Sequence, residues 1–148
     1  MSTTTFPALS TIFPGSATSA SRTRRRILVV DDDSAVLEVL AHVLESVEAD
    51  VETCSDPEEA LRRFEGEAFD VVISDERMPK MSGSEMLRRL RGLSPRTPTI
   101  LLTGFASRKK RDAAYEREGV FCYVAKPFDT SDLVGTVREA LRAADALA

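Results

Sequence analysis

A chain of 148 residues with 43% hydrophobic content is long enough for one domain with a substantial core and too short for several. Its net charge of −4 is unevenly spread: residues 1–26 carry four arginines and no acid, which leaves −8 for residues 27–148 and argues against a direct nucleic-acid binder. No run approaches the ~18 apolar residues of a membrane span, so no membrane partner is expected.

Residues 1–25 read as a disordered tail and 26–148 as the folded domain. The first 26 residues hold five Ser, six Thr and two Pro, and their only charges are Arg22, Arg24, Arg25 and Arg26, a composition that cannot bury enough apolar surface to fold. A secretory signal would place positive charge before a sustained apolar stretch. Here the arginines come last, so export is not expected and the location reads as cytoplasmic. The composition overlaps with that of organelle transit peptides, but a plain flexible leader or a mis-assigned start codon is the preferred reading.

The first strand is expected over 27–31 and runs Ile27-Leu28-Val29-Val30 into Asp31, followed by Asp32 and Asp33. Adjacent carboxylates repel, so this cluster asks for a cation. Val36, Leu37, Leu40, Leu44 and Val47 then share one helical face. A second strand is expected over 50–54, after which Asp56-Pro57 has the form of an N-cap before a proline at the first helical position. The third strand, 69–74, ends on Ser74-Asp75, and Ser82-Gly83-Ser84-Glu85 has the spacing of a capping box that opens the next helix. A fourth strand over 98–103 ends on Thr103. The basic run Arg108-Lys109-Lys110-Arg111 opens a fourth helix and reads as a solvated face or as a surface for an acidic partner. The last strand, 120–125, ends on Lys126-Pro127, and Leu133, Val134, Val137 and Leu141 mark a fifth helix.

Five β-branched runs alternating with five helical patterns imply an α/β fold with a parallel sheet. Ligands bind such sheets beyond the carboxyl ends of the strands, where Asp31, Asp32, Asp75, Thr103 and Lys126 all lie. A hard divalent cation such as Mg²⁺ takes oxygen ligands, commonly one or two carboxylates plus a phosphate. A carboxylate is also a competent nucleophile toward a phosphoryl group, with the metal and a lysine neutralising charge on the transferring oxygens, and Lys126 and the Thr103 hydroxyl would supply the non-metal contacts. Cys54 and Cys122 lack metal-ligand spacing and read as reduced, packed thiols.

Four motifs at appropriate spacing carry a family resemblance: Val29-Val30-Asp31-Asp32, the run Ser74-Asp75-Glu76-Arg77-Met78-Pro79-Lys80-Met81-Ser82-Gly83, Leu101-Leu102-Thr103-Gly104, and Tyr123-Val124-Ala125-Lys126-Pro127-Phe128. Over about residues 26–145 the chain resembles a response-regulator receiver domain of two-component signalling, of the single-domain, chemotaxis-regulator-like type. The resemblance implies a doubly wound, flavodoxin-like (βα)5 fold with strand order 2-1-3-4-5. It implies Asp75 as phosphoacceptor and a Mg²⁺ site made by Asp31, Asp32, Asp75 and the backbone carbonyl of Arg77. Thr103 is then the hydroxyl that turns toward the phosphoryl group, Lys126 the charge that contacts it, and Tyr123 the aromatic residue whose rotamer reports the switch. Lys126-Pro127 matches the family's cis peptide. A sensor histidine kinase or phosphotransfer protein would donate the phosphoryl group. The receiver would catalyse the transfer and its later hydrolysis, acting first of all as a signalling switch.

Arg77 and Phe105 fall where the family varies and where side chains influence attack by water, and Ser82 stands where Asp is more usual. Since 20 residues follow Phe128, the output is expected to be binding of a downstream protein or a homodimer through the fourth helix, fifth strand and fifth helix. Plainer roles exist for single residues. Asp33 reads as an N-cap, Thr103 and Tyr123 have ordinary strand propensity, and His42 lacks partners at ligand spacing. Two alternatives stand beside the switch. One is a receiver-like interaction scaffold without phosphate cycling, which loss of a site residue would favour. The other is a flavodoxin-like cofactor binder or a phosphatase, against which the first strand-to-helix loop lacks a glycine-rich cradle.

Overall fold

The structure is a computed structural model that describes residues 24–104 and 120–147. Its five strands are β1 (Arg25–Val30), β2 (Ala49–Cys54), β3 (Val71–Asp75), β4 (Thr99–Thr103) and β5 (Cys122–Ala125). They pair in parallel in the order β2-β1-β3-β4-β5, so the expected doubly wound sheet is present. The described helices are α1 (Ser34–Val43, continued by a 3-10 turn at Leu44–Ser46), α2 (Pro57–Gly66), α3 (Gly83–Leu93) and α4 (Thr130–Leu147). The helix expected between β4 and β5, with Phe105 and the basic run 108–111, lies outside the described residues, as do residues 1–23.

Helices on both faces explain why the inner strands are apolar at consecutive positions. Alternate side chains feed opposite layers. Ile27, Val29, Val71, Ile73, Ile100 and Leu102 pack with α1 and α4 residues such as Leu37, Leu40, Leu133 and Val137. Leu28, Val30, Val72 and Leu101 pack with Phe64, Met86, Leu87 and Leu90 from α2 and α3. The apolar helical faces read from the sequence are thus the faces that meet the sheet. Asp33 and Asp56 cap α1 and α2 by accepting from the backbone N–H groups of Ala35 (2.9 Å) and Glu58 (3.0 Å).

At the opposite end of the sheet from the acidic cluster, the arginines on either side of the expected leader boundary are structural. Arg25 is the first residue of β1, one residue ahead of the boundary expected from composition, and pairs with Asp70 and Asp145. Arg24 lies 2.9 Å from Asp50. Arg26 bridges Glu52 (2.6 Å) and Glu67 (2.5 Å), with its guanidinium 4.5 Å from the centroid of the Phe69 ring. Arg63 completes the network by pairing with Glu52. Both cysteines are free thiols, and among the described residues no helix is long and apolar enough to cross a membrane.

Candidate functional site

Strand register assembles the site. β1 and β3 are aligned with Val30 level with Ser74, so the next residues out, Asp31 and Asp75, emerge side by side. β4 places Leu102 level with Asp75, and β5 places Ala125 level with Thr103. Thr103 and Lys126 therefore reach the same edge. The ladders continue past the strand ends through Asp31 N–H to Cys54 C=O (3.1 Å), Glu76 N–H to Leu102 C=O (3.0 Å) and Lys126 N–H to Thr103 C=O (2.8 Å). Connections leave β1 and β3 in opposite directions across the sheet, and the cluster occupies the crevice that such a switch point creates.

Asp31, Asp32 and Asp75 each present a carboxylate oxygen, all within 4.8 Å of one another. Asp31 and Asp75 are only 2% and 7% exposed, so their charges are poorly screened, whereas Asp32 faces solvent. One oxygen of Asp31 accepts from the backbone N–H of Asp33 (2.9 Å), while the other, Oδ2, is buried without a hydrogen-bond partner. Burial pushes the Asp31 carboxyl above its ordinary range, against the opposing effect of the Asp33 N–H. The neighbouring Asp75 charge raises it further, Lys126 opposes this, and Asp32 adds a smaller upward push.

Lys126 Nζ stands 2.6 Å from Asp75 Oδ1, with the Lys126-Pro127 peptide cis as expected. Among the described residues, one ammonium group faces three carboxylates. The surplus negative charge and the orphaned Asp31 oxygen suit a hard oxygen-seeking cation, so the residues present fit Mg²⁺.

Arg77 lies in the loop between β3 and α3. Together with Asp32, Glu76, Met78, Pro79 and Ser82 it lines an open cleft of about 540 Å³ beside the cluster. Thr103 is buried at the end of β4. Tyr123 is level with Leu101 and Ala125 with Thr103, so Tyr123 and Thr103 project on the same face of the sheet, one pleat apart. Tyr123 is half-buried against the α2 and α3 layer. His42 is exposed on α1 beside Glu45 and takes no part.

Two residues at the site escaped the sequence reading. Gly83 opens α3 so close to β3 that a Cβ there would collide with the Asp75 carbonyl oxygen and stand 2.8 Å from Leu101 Cδ1. Its place within a capping-box pattern hid that packing role. Glu76 receives hydrogen bonds from Ser84, eight residues away, a spacing with no local signature. Ser82 does cap α3, accepting from Glu85 N–H at 3.1 Å, while the Glu85 carboxylate pairs with Arg88 and Arg89.

Residues 27–138 match the response regulator receiver domain family. The transcriptional regulatory protein TrcR of Mycobacterium tuberculosis is 34% identical over 122 residues, which is 79% of this chain and 45% of that protein. The chain spans half or less of the length of the curated relatives it matches. A CheY-like receiver domain protein from Methanospirillum hungatei JF-1 superposes with a TM-score of 0.77 at 31% identity, covering 85% of this chain and 100% of that one. The chemotaxis response regulator CheY4 of Vibrio cholerae gives 0.73 at 32%, covering 80% and 100%. Motif, sheet order and superposition agree over the same residues: the chain belongs to the response regulator receiver domain family, whose members accept phosphoryl groups in two-component signalling, generally with Mg²⁺, from histidine kinases or phosphotransfer proteins.

Proposed function

We propose that this protein is a Mg²⁺-dependent phosphoacceptor switch in which Asp75 receives the phosphoryl group and partner binding changes as a result. The observation that carries this reading is the convergence of Asp31, Asp32 and Asp75 within 4.8 Å, with Lys126 Nζ 2.6 Å from Asp75. Asp75 is the nucleophile: a carboxylate oxygen forms a bond to phosphorus as the donor's bond breaks, giving an aspartyl phosphate. Lys126 orients the Asp75 carboxylate and offsets charge on the phosphoryl oxygens. Asp31, Asp32, Asp75 and the Arg77 carbonyl would hold the Mg²⁺, which when bound neutralises developing negative charge at the transferred group. Arg77, exposed at the cleft, is placed to influence the approach of hydrolytic water.

An apolar hollow of about 350 Å³, lined by Ala35, Val36, Val39, Lys126, Pro127 and Phe128, opens beside the site. Val39 is 54% exposed in it, and a phosphohistidine-bearing donor protein covering this surface would deliver its phosphoryl group next to Lys126. On the output side, Thr103 and Tyr123 share a sheet face and link the acceptor to β5. A downstream protein or a second copy then reads β5 and α4, and the switch acts through differential affinity, typically about 1–3 kcal/mol. The test is partner binding, or self-association, with and without beryllofluoride and Mg²⁺. Binding should change in the wild type and stay unchanged in Thr103→Ala. Identical wild-type binding with the mimic confirmed at Asp75 would instead support a constitutive scaffold.

A further inference from the structure

We propose that Glu76 is a positioning residue for the phosphoacceptor site, clamping the first turn of α3 onto the end of β3. Four hydrogen bonds converge on this residue, immediately after Asp75. Its N–H donates to Leu102 C=O (3.0 Å), and its C=O accepts from Gly83 N–H (2.9 Å). Its carboxylate Oε1 accepts both from Ser84 N–H (2.9 Å) and from the Ser84 hydroxyl (2.7 Å). The early N–H groups of a helix lack partners within the helix, and Glu76 supplies one for Ser84 while Ser82 supplies one for Glu85. The loop 77–82 is thereby closed at both ends, with Met78 and Met81 buried beneath it.

The close approach at Gly83 makes the clamp consequential. α3 rests against the Asp75 carbonyl oxygen, which also accepts from Ser74 Oγ (2.9 Å), so movement of the first turn of α3 is movement of the Asp75 backbone. The same loop carries Arg77, whose carbonyl is proposed as a metal ligand. Glu76 thus acts through the placement of Asp75 and of the loop, not by touching the phosphoryl group, and its role in transfer rests on the function proposed above.

The test compares Glu76→Ala, which removes the acceptor, with Glu76→Gln, which keeps Oε1 and removes only the charge. Folding is checked by circular dichroism, and Ser84→Ala serves as a milder second variant. Hydrogen exchange of the 76–84 amides reads the clamp without reference to phosphate or metal. It should be faster in Glu76→Ala and near wild type in Glu76→Gln. Mg²⁺ affinity by calorimetry and the labelling rate at saturating Mg²⁺ with a small phosphodonor should follow the same order, with about a tenfold rate loss in Glu76→Ala, the scale of a sub-ångström misplacement. Unchanged exchange in Glu76→Ala, or equal impairment of Gln and Ala variants, overturns the clamp. Variants that exchange in this order, with a wild type that accepts no phosphoryl group, overturn the phosphoacceptor reading instead and leave the clamp standing.

Discussion

Substitution of two glycines by alanine should change stability in opposite directions. At Gly83 an added Cβ would stand 2.8 Å from Leu101 Cδ1 and closer still to the Asp75 carbonyl oxygen, a backbone atom that cannot rotate away. Ordinary carbon contacts are about 3.5–4.0 Å, so α3 and the end of β3 must separate by something near 1 Å. Overpacking of this kind costs about 1–3 kcal/mol. Taking about 2 kcal/mol, and about 3–5 °C per kcal/mol for a domain of this size, Gly83→Ala should melt roughly 6–10 °C below wild type. Displacement on that scale at the acceptor should also slow phosphorylation by about 10²-fold. Gly135, inside α4, has nothing within 4 Å of where its Cβ would be. Gly135→Ala should gain about 0.5–1 kcal/mol of helix stability, melt roughly 2–5 °C higher, and label at the wild-type rate. Thermal melts and labelling time courses of the two variants decide the matter. A Gly83→Ala protein with wild-type stability and labelling would refute the claim that α3 packs directly on Asp75.

Metal-free Asp31→Asn should be more stable than wild type at neutral pH, by about 1 kcal/mol, because it relieves a buried carboxylate with an unpaired oxygen. The sign follows from the raised carboxyl: the folded state resists ionisation of Asp31, so the wild type is penalised above that pKa and not below the ordinary carboxylate range. The advantage of Asp31→Asn should therefore shrink as pH falls through that window, as chemical denaturation at several pH values will show. Mg²⁺ should stabilise the wild type by about 2.7 kcal/mol when free metal reaches about 100 times its dissociation constant, and Asp31→Asn far less at the same concentration. A melting temperature flat across a millimolar titration would count against the site. Deletion of residues 1–21 should leave stability and labelling unchanged. Arg26→Ala should cost about 1–2 kcal/mol in a urea titration through loss of its bridge over Phe69.

Much of this architecture was legible because parallel βα units leave strong local marks. The consecutive apolar run Ile27–Val30 means burial on two faces, and the charged residues Asp31, Asp75 and Lys126, which end three of the five runs, mark the ligand-binding edge. The helix caps at Asp33 and Asp56 could also be read, since each bonds an N–H two residues away. Strand order came from the family resemblance, as periodicity says nothing about which strands are neighbours. Composition places Arg25 in the leader because its partners Asp70 and Asp145 are 45 and 120 residues distant, and composition cannot register pairing at that range. The role of Glu76 leaves no local mark in the sequence for the same physical reason. Its carboxylate satisfies a helix start across a loop, whereas the capping-box pattern looked only within the helix.

The central claim is that Asp75 is the phosphoacceptor, and intact mass after incubation with a small-molecule phosphodonor and Mg²⁺ tests it most directly. The wild type should gain a single phosphoryl group, and Asp75→Asn, folded by circular dichroism, should gain none. Equal labelling of the two proteins would contradict the assignment and place the acceptor elsewhere.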